Sequence, residues 1–184
     1  MKAISVLLLL LASAHVLAAN FSVVNATKSN ISFVSKQMGV AVTGNFAQFD
    51  SLINLDPAHP EAGKAQITVK LNSIDAGSDE ANDEVKSKSW FNVKEYPAAT
   101  FVSSAVKALG GNRYQAVGKL TIKGKVRDVV VPFTGVLAGA NLLLDGSIPI
   151  SRAAFGIGEG AWADPSVVAD DVQVKFHFVL SSVK

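Results

Sequence analysis

The stretch Val172-Gln173-Val174-Lys175-Phe176-His177-Phe178-Val179-Leu180 sets Val172, Val174, Phe176, Phe178 and Leu180 against Gln173, Lys175 and His177. Successive side chains of a β-strand point to opposite faces, so a period of two marks a strand with one buried and one wet face. Ile67, Val69 and Leu71 alternate in the same way with Gln66, Thr68, Lys70 and Asn72. Looser versions run over Asn30 to Lys36, Val40 to Phe49, Thr100 to Val106, Tyr114 to Ile122, Val126 to Val136 and Leu142 to Arg152, which makes about eight strands. Between several of them stand turn sequences: Gly110-Gly111-Asn112, Lys123-Gly124-Lys125 and Gly139-Ala140-Asn141. Short turns join antiparallel neighbours, and the helices that parallel crossovers need are missing from the pattern.

One segment departs from the alternation. Ser78 to Phe91 is rich in helix formers, with Asp79, Glu80, Asp83 and Glu84 early and Lys86 and Lys88 late. That order suits the helix dipole and sets Glu84 four residues before Lys88, so one short helix is expected there. Trp90 and Phe91 would end it with two large apolar groups aimed at the sheet. Such a meander closes as an up-and-down barrel, which removes exposed edges, or stacks as a two-layer sandwich. Pro132 and Pro149 sit inside expected strands and cannot donate to a ladder, so a bulge or a partly open seam is expected near them.

The 184 residues amount to one domain, and 49% hydrophobic content excludes a disordered chain. Met1 and Lys2, the aliphatic run Ile4 to Leu11 and the small-residue region Ala12 to Ala19 read as an export signal, with cleavage after Ala19. The domain is then residues 20–184, and the expected compartment is the periplasm, with secretion second. No cysteine is present, so stability rests on apolar burial and not on disulfides. A net charge of +2 is too balanced for a nucleic-acid surface.

Catalytic and metal signatures are sparse. After the signal only His59 and His177 remain, with no cysteine and no Gly-x-Ser-x-Gly, so neither a zinc site nor a nucleophilic triad is expected. Gly156-Ile157-Gly158-Glu159-Gly160 lacks the following helix that a phosphate loop needs, and reads as a flexible or strained loop. No cofactor is expected.

The surplus is apolar and aromatic, with ten Phe and two Trp, many on the inward phase of a strand. Taken singly, each reads as core packing. Arg152 shares the parity of Leu142, Leu144, Ile148 and Ile150, which turns a guanidinium toward the interior. A buried charge needs a partner, either an internal carboxylate such as Glu159 or Asp164, or a polar ligand group at a cavity mouth.

Three motifs follow one another in order: Ser87 to Phe101 with Trp90-Phe91, Tyr96-Pro97 and Thr100-Phe101; Gly118-Lys119-Leu120-Thr121-Ile122-Lys123-Gly124; and Arg152 with Phe155-Gly156-Ile157. Together they resemble the YceI-like family of exported bacterial proteins. The resemblance implies a lipocalin-like eight-stranded barrel that holds an isoprenoid or other long-chain lipid, and a carrier or sensor in place of a catalyst. Where many relatives carry histidine, this chain has Lys28, Gln37, Glu84 and Lys123, so no metal or polar role resting on those histidines carries over. Ser29, Ile31 and Phe33 keep the family pattern.

The resulting expectation is a periplasmic binder of an isoprenoid lipid, a quinone among the candidates. Phe33, Phe46, Trp90, Phe91, Phe101 and Phe133 are candidate cavity or mouth residues, with Arg152, Phe155, Trp162, Phe176 and Phe178. The rival expectation is a barrel packed solid, whose outer face binds a membrane redox protein. A homodimer is implied by resemblance only.

Overall fold

The computed structural model describes residues 20–182, so the expected export signal at 1–19 lies outside the described residues. Eleven strands follow one another: β1 (Phe21–Val24), β2 (Asn30–Gln37), β3 (Val40–Phe46), β4 (Phe49–Asn54), β5 (Lys64–Lys70), β6 (Ile74–Asp75), β7 (Ala98–Gly110), β8 (Arg113–Ile122), β9 (Lys125–Ala138), β10 (Asn141–Ser151) and β11 (Asp171–Ser182). Among the described residues one α-helix, α1 (Asp79–Lys86), stands between β6 and β7. The strands form a single curled sheet in the order β4-β5-β7-β8-β9-β10-β11-β2-β3-β6, with β1 paired to β11. Every ladder is antiparallel.

The expected barrel is therefore present, with three strands more than the alternation marked. The run from Val40 to Phe49 breaks at Ala47-Gln48, where Ala47 N–H donates to Ser73 and Lys70 N–H to Gln48. Strands β1 and β6 are too short to show a period. β1 helps close the curl, because Phe21 and Leu55 exchange both backbone hydrogen bonds at 3.0 Å. The helix starts at the expected residue: Ser78 Oγ accepts from Ala81 N–H, satisfying one of the free donors of the first turn. It ends at Lys86, earlier than expected.

The two prolines mark where the sheet parts. β9 and β10 pair only from Phe133 opposite Gly146 to Ala138 opposite Asn141. Below that point Lys125–Pro132 pairs with β8 alone, and Ser147–Ser151 with β11 alone. Pro132 and Pro149 lie in the parted halves, so the expected open seam is found and no bulge is needed.

Two apolar clusters lie inside the curl. One joins Phe21, Leu55, Leu142, Leu144, Phe178 and Leu180 at the end closed by β1. The other joins Leu71, Val93, Ile122, Phe155 and Ile157 toward α1. Each large apolar side chain so buried contributes about 1.5–3 kcal/mol, which a chain without disulfides requires.

Candidate functional site

The inward faces of the sheet do not fill the space they enclose. Two hollows adjoin. The narrow one, about 150 Å³, lies among Ile53, Leu55, Val106, Phe133, Leu144 and Phe178. The wide one, about 550 Å³, lies between the sheet, α1 and the loop after β10. Six residues line both: Ile31, Val69, Ala99, Leu120, Ile150 and Val174. They form a throat.

Cross-strand register explains why aromatic rings leave this room. Phe33 stands opposite Gly44 and Phe176 opposite Gly146. At Gly44 a Cβ would overlap the Phe33 ring, and at Gly146 the Phe176 ring. Each phenyl therefore lies against bare backbone along the wall of its hollow and not across it. Phe101 covers Gly118 in a similar way.

Ten of the eleven expected residues line one hollow or the other. Phe101, Phe133, Phe176 and Phe178 line the narrow hollow, and Phe33, Phe46, Trp90, Phe91, Arg152 and Trp162 the wide one. Phe155 lines neither and is buried, 3% exposed, beside Leu71 and Ile157.

Arg152 points inward as its parity requires and is 3% exposed, but its partner is neither Glu159 nor Asp164. Nε donates to the carbonyls of Val168 and Ala169, Nη1 to Ile157 and Gly158, and Nη2 to Trp162 and Val168, all at 2.7–3.2 Å. The guanidinium also lies 5.9 Å from the centre of the Trp90 ring, within cation–π reach. Curling backbone carbonyls around one side chain demands unusual geometry. Gly158 meets it with φ +72°, and a Cβ there would overlap Nη1. The expected strained loop is thus a cradle for Arg152.

The carboxylates are engaged elsewhere. Glu159 pairs with Lys123 Nζ at 3.0 Å, and that hydrogen bond and positive charge hold its carboxyl below the usual range. Asp164 accepts from Ser166, which lowers it as well. Asp170 accepts from Ala153 N–H and is lowered chiefly by Ser151.

Glu84 was expected to serve Lys88, but the helix ends between them. Its Oε1 instead accepts from Trp162 Nε1 at 2.8 Å, tying α1 to the loop after β10. Glu80, Ser35 and Gln37 join Glu84 and Arg152 as the polar lining of the wide hollow. The alternation misses these residues because their role depends on contacts between distant segments.

Comparison with known proteins agrees with this architecture. The YceI-like domain profile matches residues 23–180. The chain belongs to the YceI-like family. A UPF0312 protein of Azotobacter vinelandii is 31% identical over 124 residues, 62% of either chain. One from Photorhabdus laumondii is 32% identical over 125 residues, 67% of this chain and 65% of its own. These matches span less than two thirds of the relatives' own length. Among solved structures, Burkholderia cenocepacia BcnA is 50% identical with TM-score 0.83, covering 85% of this chain and 98% of BcnA. A structure described as a polyisoprenoid binding domain from Saccharophagus degradans shares the fold at TM-score 0.65 and 19% identity, covering 90% of this chain and 99% of that one.

Proposed function

We propose that this YceI-like protein binds an isoprenoid or similar long-chain lipid in its lumen, without catalysing a reaction, and carries it in the periplasm. The observation that carries this reading is the pair of adjoining hollows, about 150 and 550 Å³, walled mainly by Phe, Leu, Ile and Val. A solid barrel core, as the rival expectation requires, leaves no such space. The description of the Saccharophagus degradans neighbour as polyisoprenoid-binding supports the same ligand class.

Magnitudes are adequate. Each buried CH2 stabilises the complex by about 0.8 kcal/mol, so ten carbons supply roughly 8 kcal/mol before the ordering of the chain is counted. The apolar signal-like segment before Asn20 supports export as part of the proposal. A prenyl quinone is one head group within the class.

Both tryptophans of the chain line the wide hollow, so intrinsic fluorescence reports its occupancy. Titration of the purified protein with a prenyl quinone is expected to quench that signal saturably. Native mass spectrometry is expected to show co-purifying lipid. Neither quenching nor bound lipid, across prenyl and acyl chains, would remove the reading.

A further inference from the structure

We propose that the wide hollow selects an uncharged, hydroxyl-bearing head group and disfavours anionic ones such as phosphates; this rests on the lipid-binding reading above. The argument is an inventory of charge. Among the described residues that line the wide hollow, the only charged ones are Glu80, Glu84 and Arg152. An anion would look to Arg152. The guanidinium has five N–H donors, and all five are directed at the carbonyls of Ile157, Gly158, Trp162, Val168 and Ala169. Its N–H groups are all engaged by its own loop, which leaves no donor to offer a phosphate oxygen.

The other positive pole is the start of α1. There Ser78 Oγ already takes up Ala81 N–H, and Asp79 and Glu80 occupy the first turn. The Glu80 carboxyl lies below its usual range through its own backbone N–H and the Ser78 hydroxyl, which keeps a negative charge at the rim. Glu84 adds a second. Carboxylates only accept hydrogen bonds, so the group they can hold is a donor. A hydroxyl meets that need, and Ser35 and Gln37 on β2 can answer its oxygen.

Lysines do lie close by, in an outer groove with Lys88, Lys123 and Lys125. That groove lies beside the hollow, and Glu84 lines both. Its three lysines are equalled in number by Glu84, Glu95 and Glu159, and Lys123 is held by Glu159 and the Gly156 carbonyl. By that count the groove's lining carries no net positive charge.

The test compares farnesol, farnesyl phosphate and farnesyl diphosphate by tryptophan fluorescence on the full exported protein at low salt. The three share one tail. Farnesol is expected to bind at least tenfold more tightly than the monophosphate, and the diphosphate more weakly still. In an E80Q/E84Q variant, whose amides keep the hydrogen-bonding shape, the gap is expected to narrow to under threefold through a gain for the phosphates. Equal or tighter phosphate binding by the unaltered protein overturns the inference, as does a gap unchanged in the variant. If none of the three binds, and longer prenyl and acyl chains fail as well, the lipid-binding reading falls and takes the inference with it; if all three bind alike, only the head-group inference falls.

Discussion

The narrow and wide hollows are walled by one sheet, yet they end differently. Around the narrow one, strands close on each other through β1 and on Leu142 and Leu180, both 0% exposed. Around the wide one, the sheet stops short, and α1 with the loop between β10 and β11 takes over the wall. Sheet can finish a wall in apolar side chains because its backbone is already hydrogen-bonded. A loop cannot, and here the carbonyls of Ile157, Gly158, Trp162, Val168 and Ala169 are satisfied by the buried guanidinium of Arg152. The closed end is lined almost wholly by apolar side chains, and the loop-built end carries Glu80, Glu84, Ser35, Gln37 and Arg152.

The most severe way to break this contrast is Arg152→Leu. Five backbone carbonyls would lose their buried donor at once, for an expected cost of about 3–5 kcal/mol. In a domain of this size that is a melting point lower by roughly 10 °C. Hydrogen exchange is expected to locate the damage: amides of 153–170 lose protection, while those of Leu142 and Leu180 keep theirs. Uniform loss would mean that the two ends are one cooperative unit.

Next in size is a block of the throat. Ala99 lines both hollows and is 8% exposed, so Ala99→Phe is expected to part them. Excluding roughly four methylenes from the narrow hollow, at about 0.8 kcal/mol each, weakens long-tailed ligands about 200-fold. A C10 alcohol that fits the wide hollow alone should lose little. Fluorescence titration with C10 and C20 prenyl alcohols reads both arms; equal losses would show that the hollows do not hold one tail in common.

The Phe–Gly pairs sharpen the contrast further. Gly146→Ala forces the Phe176 ring and the Pro132 carbonyl to shift beside the 150 Å³ hollow, and Gly44→Ala the Phe33 ring and the Asp75 carbonyl beside the 550 Å³ one. Both overpack, at about 1–3 kcal/mol of stability. Long-chain affinity is expected to fall about tenfold for Gly146→Ala, and by less than threefold for Gly44→Ala, because one methylene's displacement matters most where space is least. A larger loss in Gly44→Ala would place the tail in the wide hollow.

Alternation alone told which residues face inward: Phe133, Phe176 and Phe178 sit on the lumen side as their period requires. It could not tell how much room they leave, because volume depends on what stands across the strand. Gly44 opposite Phe33 becomes informative only once register is known. The parity of Arg152 was legible as well, but its partners were not, since a backbone carbonyl carries no mark in the sequence. Glu84 was read with Lys88, a neighbour by spacing, while its contact in the fold is Trp162, 78 positions away. Strands β1 and β6 were missed because four and two residues carry no period.

The smallest effect expected is acid sensitivity confined to the loop-built end. Glu159, Asp164 and Asp170 all lie in the loop that cradles Arg152, and all three carboxyls are held below their usual values, Glu159 by Lys123, Asp164 by Ser166 and Asp170 chiefly by Ser151. A carboxyl lowered by folding adds stability above its unfolded pKa and loses it as pH falls through the folded value. The contribution is therefore full above about pH 5 and fades below about pH 4. Because Glu159 and Asp164 are exposed, solvent screens their share. Exchange rates of amides 153–170 are expected to rise modestly between pH 5 and 3, after correction for intrinsic exchange, while the strands around the narrow hollow stay protected. Asp170→Asn, which keeps an acceptor for Ala153 but no titrating charge, is expected to flatten part of that rise; an unaltered pH profile would assign the sensitivity to Glu159 and Asp164 alone.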